Sequence, residues 1–198
     1  MTDAVAEFVA VMRRLRAECP WKQEQTHRSL VRYLLEETYE TVDAIDAGEA
    51  SGDWSHLAEE LGDVLLQVVF HAVIAEERGD FSLDDVARGI TAKMRRRNPH
   101  VFSDESDDAL TAEEVDARWQ RIKAAEKGTA PSTADLPSAL PALLYADKAL
   151  GRRERTGDPV VVDPAADGLG ERLLALVAEA RAAGVDPEQA LRDVVRGL

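Results

Sequence analysis

Five acidic residues stand at spacings that can do chemistry: Glu36, Glu37 and Glu40 in "LLEETYETVDAIDAG", then Glu60 and Asp63 in "LAEELGDVLLQVVFHA". Residues three or four apart share one face of an α-helix, so each set projects from one side of its own helix. The connection between them, "GEASGDW", is short enough to make the two helices antiparallel neighbours whose acidic faces can meet. Up to five carboxylates then come together. Like charges a few ångströms apart repel, and partial exclusion of water deepens the penalty, so some stay protonated unless a cation joins them. A hard divalent ion removes the conflict. Oxygen-only ligands favour Mg²⁺ or Mn²⁺ over zinc, and Mg²⁺ keeps several waters and recruits substrate phosphates.

Two other readings fit the acidic pattern less well. A di-iron or di-manganese centre calls for Glu-x-x-His pairs on facing helices, whereas here Glu37 is followed by Glu40 and Glu60 by Asp63. A solvated helix face is the usual fate of acidic pairs and is the reading taken for Glu49, Glu76, Glu77, Glu113 and Glu114. It accounts poorly for two acidic motifs on adjacent amphipathic helices. Further on, "AKMRRRNPH" carries Lys93, Arg95, Arg96 and Arg97, the strongest basic cluster of the chain. Lys93 and Arg97 lie four apart on one face and can clamp phosphate oxygens. Arg95 and Arg96 serve equally well as cations that complement a helix C-terminus. The combination points to a magnesium site whose ligand is a polyphosphate.

These residues need helices to hold them, and apolar residues recur at helical spacing almost throughout, with few alternating β-branched runs. The reading is an all-α bundle. Five helices are expected in the main domain: Asp3 to Glu18, ending before Pro20; Ser29 to Gly48; Ser55 to Arg78, stopped by Gly79; 83–97, capped by Ser82; and 112–127, opened by Thr111 with Glu114 and stopped by Gly128. The third is apolar almost all round, so it needs partner helices on several sides. Its one inner polar stripe is Glu60, Asp63, Gln67 and His71. His71 is expected to be a hydrogen-bonded structural histidine, Trp21 a core plug, and Cys19 a small core residue.

Three segments organise the chain: a catalytic helical domain over 1–127, a proline-rich linker over 128–166 with a short helix near Ala142 to Leu150, and a helical pair over 167–198. The pair echoes the third helix. Leu61-Gly62-Asp63-x-Leu65-Leu66 sets against Leu169-Gly170-Glu171-x-Leu173-Leu174, with Gly168 at the position of Glu60. The pair is thus expected to be the remnant of a second copy that has lost part of its acidic set.

Composition excludes several classes. A formal net charge of -14 argues against a general binder of nucleic acid or of anionic membranes, since both reward a basic face. One cysteine cannot make an internal disulfide and fits a reducing compartment. No apolar run approaches membrane-spanning length, and "MTDAVAEFVAVMRRLRAE" is no secretory leader, so a cytoplasmic location is expected.

In order along the chain, "CPWKQEQTHRSL", "EETYE", "EELGD", "KMRRRNPHVF" and "ARWQRIKAAEK" resemble the N-terminal domain of the MazG family of nucleoside triphosphate pyrophosphohydrolases, over about Val11 to Lys127. The family pattern EExxE followed by ExxD is met by Glu36, Glu37 and Glu40, then Glu60 and Asp63. The resemblance implies hydrolysis of an NTP or dNTP to the monophosphate and pyrophosphate. It implies Mg²⁺ ligation by Glu37, Glu40, Glu60 and Asp63, with Glu36 orienting or activating the attacking water. Lys93 and Arg97 match positions that contact the triphosphate, and Trp119 an aromatic position near the nucleotide. A homodimer or higher homo-oligomer is implied as well. The competing readings are an all-α pyrophosphohydrolase of narrow specificity, for dUTP, dCTP or phosphoribosyl-ATP, and a non-catalytic, metal-stabilised interaction protein.

Overall fold

The computed structural model describes residues 4–102, 110–127 and 132–198, and among these no strand occurs. The helices are α1 (Ala4–Glu18), α2 (Pro20–Glu24), α3 (His27–Ser51), α4 (Ser55–Arg78), α5 (Leu83–Arg97), α6 (Pro99–Phe102), α7 (Ala112–Lys127), α8 (Ala142–Arg155), α9 (Leu169–Ala182) and α10 (Pro187–Arg196). The all-α expectation holds. The chain divides into two compact units, Met1–Glu105 and Ser106–Leu198.

Most boundaries follow from capping chemistry. Ser82 and Asp85 form a reciprocal box at the start of α5. Thr111 and Glu114 do the same at α7: the Thr111 N–H donates to Glu114 at 2.8 Å and the Glu114 N–H to Thr111 Oγ1 at 3.3 Å. Gly79 takes the left-handed conformation, φ 73°, that ends α4. The expected stop at Gly128 lies outside the described residues.

Five expectations are corrected. The helix α3 begins at His27 rather than Ser29, because Thr26 is its N-cap and accepts from the Ser29 N–H at 3.1 Å. It also runs past Gly48 to Ser51 and ends on Gly52, φ 77°. Gly48 is buried inside the helix for a different reason: a Cβ there would lie 2.5 Å from Trp54 Cε3, so glycine is what lets the indole lie against α3. Two short helices, α2 and α6, follow the residues expected to break the chain. Pro20 and Pro99 disfavour helix before them but suit the first helical position themselves. The helix α8 extends to Arg155, beyond Leu150. Trp21 is no core plug: it is 47% exposed and meets Tyr33 edge-on, ring centroids 5.9 Å apart.

The first unit is built on the α3–α4 hairpin with α1 across it. Its core is Val9 and Met12 of α1, Leu30 of α3, and Val69, Phe70, Val73 and Ile74 of α4. Arg13 of α1 makes a two-pronged contact with Glu76, both bonds 2.9 Å, and Arg16 reaches Glu77 at 2.9 Å. Arg16 also donates to the backbone carbonyls of Lys22 and Gln25, which ties α2 to the end of α1. The C-terminal half of α4 is therefore enclosed. Its N-terminal half and the facing part of α3 leave Leu34, Leu35, Leu61, Leu65 and Val68 exposed.

In the second unit α8, α9 and α10 pack together around Leu150, Ala175 and Val177. Arg181 of α9 binds Asp147 at 2.8 Å and Glu154 at 2.9 Å on α8, its guanidinium lying over Gly151, where a Cβ would come within 2.5 Å of it. Asp186 caps α10 by accepting from the N–H groups of Glu188 and Gln189 at 2.9 and 3.1 Å.

Candidate metal centre

Helical periodicity puts Glu37 on the inner side of α3, and Glu60 and Asp63 one turn apart on α4. The hairpin brings the two helices side by side. Carboxylate oxygens of Glu37, Glu60 and Asp63 then lie within 4.8 Å of one another. Three acceptor-only groups at this distance repel, and the repulsion is visible in Glu37. Its carboxyl is pushed above the usual glutamate range by loss of solvent first, then by a hydrogen bond with Glu40 and by the charges of Asp63 and Glu40. The side chain of Gln67 opposes this by hydrogen bonding to Glu37. Glu60 is enclosed, with its side chain 12% exposed, and His56 Nδ1 stands 3.4 Å from its Oε1.

A hard, oxygen-preferring divalent cation fits this donor set. The three groups are close enough to share one ion, all of them offer oxygen rather than the nitrogen or sulfur zinc prefers, and Glu37 gains from a neighbouring positive charge.

A family model, the MazG nucleotide pyrophosphohydrolase domain, matches residues 25–102, the stretch that contains all five acidic positions. The chain is 41% identical over 191 residues to the nucleoside triphosphate pyrophosphohydrolase of Escherichia coli K12, covering 93% of this chain and 70% of that protein. This chain belongs to the MazG family.

Other relatives share most of the chain. The nucleoside triphosphate pyrophosphohydrolase/pyrophosphatase MazG of Thermotoga maritima is 39% identical, over 96% of this chain and 80% of that protein. An uncharacterised 26.1 kDa protein of Streptomyces cacaoi is 49% identical, over 94% and 76%. The crystal structure of a MazG-related protein from Thermotoga maritima superposes with a TM-score of 0.50 at 23% identity, over 60% of this chain and 97% of that one, which supports the all-α fold.

The remaining site candidates of this MazG chain fall in different places. Glu40 adjoins Glu37, while Glu36 is exposed on α3. Lys93 and Arg97 lie half-buried on α5. Trp119 belongs to the second unit, where Lys123 Nζ stands 5.0 Å from its ring centroid. Residue types alone give no role to Gln67 or His56, although Gln67 follows Asp63 by one turn and His56 precedes Glu60 by one. That i, i+4 spacing is the signal from which both follow.

One turn beyond Gln67, His71 meets His27 of α3. Their Nδ1 atoms are 2.8 Å apart and the rings stack, centroids 5.1 Å apart, so His71 is the hydrogen-bonded histidine expected. One Nδ1 donates and the other accepts, an arrangement that two protonated rings cannot keep. Burial, and secondarily His27, hold the His71 pKa below its ordinary value of 6.5. An unfolded chain takes a proton near pH 6.5 that folded His71 refuses, so the unfolded state binds more protons below that pH. Stability therefore falls as pH drops through about 6.5 and stops falling from this cause below the folded pKa. Glu37 acts in the opposite sense, from its ordinary 4.5 up to its raised value. Urea midpoints of the wild type measured from pH 8 to 5.5 decline, and in His71→Leu the decline is shallower. Equal slopes would rule the histidine pair out as the cause.

Proposed function

We propose that this chain hydrolyses nucleoside triphosphates, NTP or dNTP, to the monophosphate and pyrophosphate, with Mg²⁺ as its metal and Mn²⁺ as a substitute. The observation that carries the proposal is the convergence of Glu37, Glu60 and Asp63 to within 4.8 Å in a chain of this family. The names of the relatives in Escherichia coli and Thermotoga maritima point to the same chemistry. Glu37, Glu40, Glu60 and Asp63 hold the ion, and Glu36, exposed at the edge of the acidic face, orients and activates the attacking water. Lys93 and Arg97 take phosphate oxygens by charge-assisted hydrogen bonds, and Trp119 is the residue that the family resemblance assigns to the base. When bound, the ion supplies positive charge against the triphosphate and acidifies a water for in-line attack on the α-phosphorus. An acidic chain needs that charge, because carboxylates alone repel a polyphosphate.

The assembly we propose is a homodimer or larger homo-oligomer. Leu34, Leu35, Leu61, Leu65 and Val68 form exposed apolar surface on the hairpin that carries the acidic residues, and a second copy of the hairpin supplies matching surface. Residues 1–127 are the catalytic part, 128–166 the connection, and 167–198 the remnant of a second copy. The site of action is the cytoplasm and the role nucleotide-pool housecleaning, in keeping with a single cysteine and with the lack of any membrane-crossing helix among the described residues.

The test is product analysis by anion-exchange chromatography after incubation with a panel of NTPs and dNTPs. Monophosphate and pyrophosphate form with Mg²⁺, formation stops in EDTA, and added Mg²⁺ restores it. Release of orthophosphate, or equal turnover in EDTA, would overturn the proposal.

A further inference from the structure

Gln67 is the one buried polar residue among the core positions of the described chain, 3% exposed, on the side of α4 that also carries the buried Phe70 and Ile74. A primary amide brings two donors and two acceptor lone pairs into that setting. One end has a partner in reach: the Gln67 amide lies beside the Glu37 carboxylate and, as a donor to it, lowers its pKa. An ionised carboxylate only accepts, so the amide nitrogen is the end that faces Glu37. The other end is not accounted for, since Oε1 is fully buried with no hydrogen-bond partner. A methionine or leucine would fill this space without stranding an acceptor. The amide is thus retained at a cost that core packing does not explain.

The surroundings say what the stranded oxygen lacks. Asp63 lies one turn before Gln67 on α4 and Glu37 lies across from it, and as carboxylates both are acceptors. Neither supplies the donor that Oε1 lacks. A hydrated divalent cation brings donors with it, because Mg²⁺ gives up its waters reluctantly and each bound water has two protons to offer.

We propose that Gln67 is a positioning residue of the carboxylate centre: its Nε2 holds Glu37 in place, and its buried Oε1 accepts from a water that enters with the cation. This inference rests on the metal reading of the site. It adds that affinity for the ion depends on a side chain that does not itself ligate it, as outer partners of metal ligands do.

Mn²⁺ binding to the full chain, measured by isothermal titration and by electron paramagnetic resonance, tests it in the wild type and in Gln67→Met. The variant is expected to bind Mn²⁺ about 10 to 100-fold more weakly. Its melting temperature in EDTA is expected to stay at or above the wild-type value, because a half-satisfied amide has been replaced by an apolar chain of similar volume. Unchanged Mn²⁺ affinity would overturn the inference, and a lower metal-free melting temperature with unchanged affinity would make Gln67 purely structural. Should the wild type itself fail to bind Mn²⁺, the metal reading falls and this inference with it, a result distinct from a defect confined to the variant. A measurement on the wild type guards against a variant that does not fold. In a ¹⁵N-labelled sample the Gln67 side-chain N–H signals shift on adding Mg²⁺, and signals that stay in place would count against the proposal.

Discussion

Glu37→Gln and Asp63→Asn each remove more than about 100-fold of the turnover while leaving the helical fold in place. Outer partners of metal ligands already cost about 10 to 100-fold when lost, and these two substitutions neutralise carboxylates inside the cluster itself. Both variants keep shape and hydrogen-bonding atoms and delete one negative charge. In the metal-free protein that deletion is favourable. The Glu37 carboxyl is held above its ordinary range by burial, by the hydrogen bond with Glu40 and by the Asp63 charge, so a neutral amide at position 37 relieves the crowding. Metal-free Glu37→Gln therefore melts no lower than the wild type. Pyrophosphate release and thermal melting by circular dichroism measure the two halves of the prediction. Full turnover in both variants would sink the ligand assignment. A lowered metal-free melting point would show instead that Glu37 supports the fold.

The largest effect on stability is expected for Phe70→Ala. Phe70 is 1% exposed at the centre of the first unit, packed with Met12 of α1 and Leu30 of α3, with Lys22 Nζ 5.1 Å from its ring centroid. Truncating such a residue costs about 3–5 kcal/mol, the sum of lost transfer energy and the cavity left behind. Domains are stable by only about 5–15 kcal/mol, so this one change takes a large share of the total. A well-packed ring also fixes how α3 crosses α4, so Phe70→Ala loosens the carboxylate cluster too. Urea midpoints compared at one protein concentration give the loss, the concentration being held because assembly contributes to apparent stability. A shift of less than about 1 kcal/mol would mean that the site collapses around the missing ring and that Phe70 is no keystone of the packing.

Local chemistry made much of this molecule legible. The end of α4 and the starts of α5 and α7 follow from Gly79, Ser82 and Thr111, because a cap is satisfied within four residues of itself. Where a boundary depended on a distant group the reading failed. Gly48 has the residue type of a helix stop, yet it serves the Trp54 indole, while Gly52 ends α3. Pro20 and Pro99 were legible as breaks, but each also opens a short helix. Trp21 has the size of a core plug, and its place at the rim against Tyr33 follows from how α2 meets α3.

The same division holds for the site. That Glu36, Glu37, Glu40, Glu60 and Asp63 sit on paired helices follows from spacing alone, since the helical repeat and a short connection act over a few residues. That Glu37, Glu60 and Asp63 converge while Glu36 stays exposed depends on the rotation and crossing of α3 against α4. So does the meeting of His27 with His71, 44 residues apart. Those angles are set by interlocking of Leu30, Val69 and Phe70 in a core as dense as a crystal, a property of the assembled helices that no single helix carries.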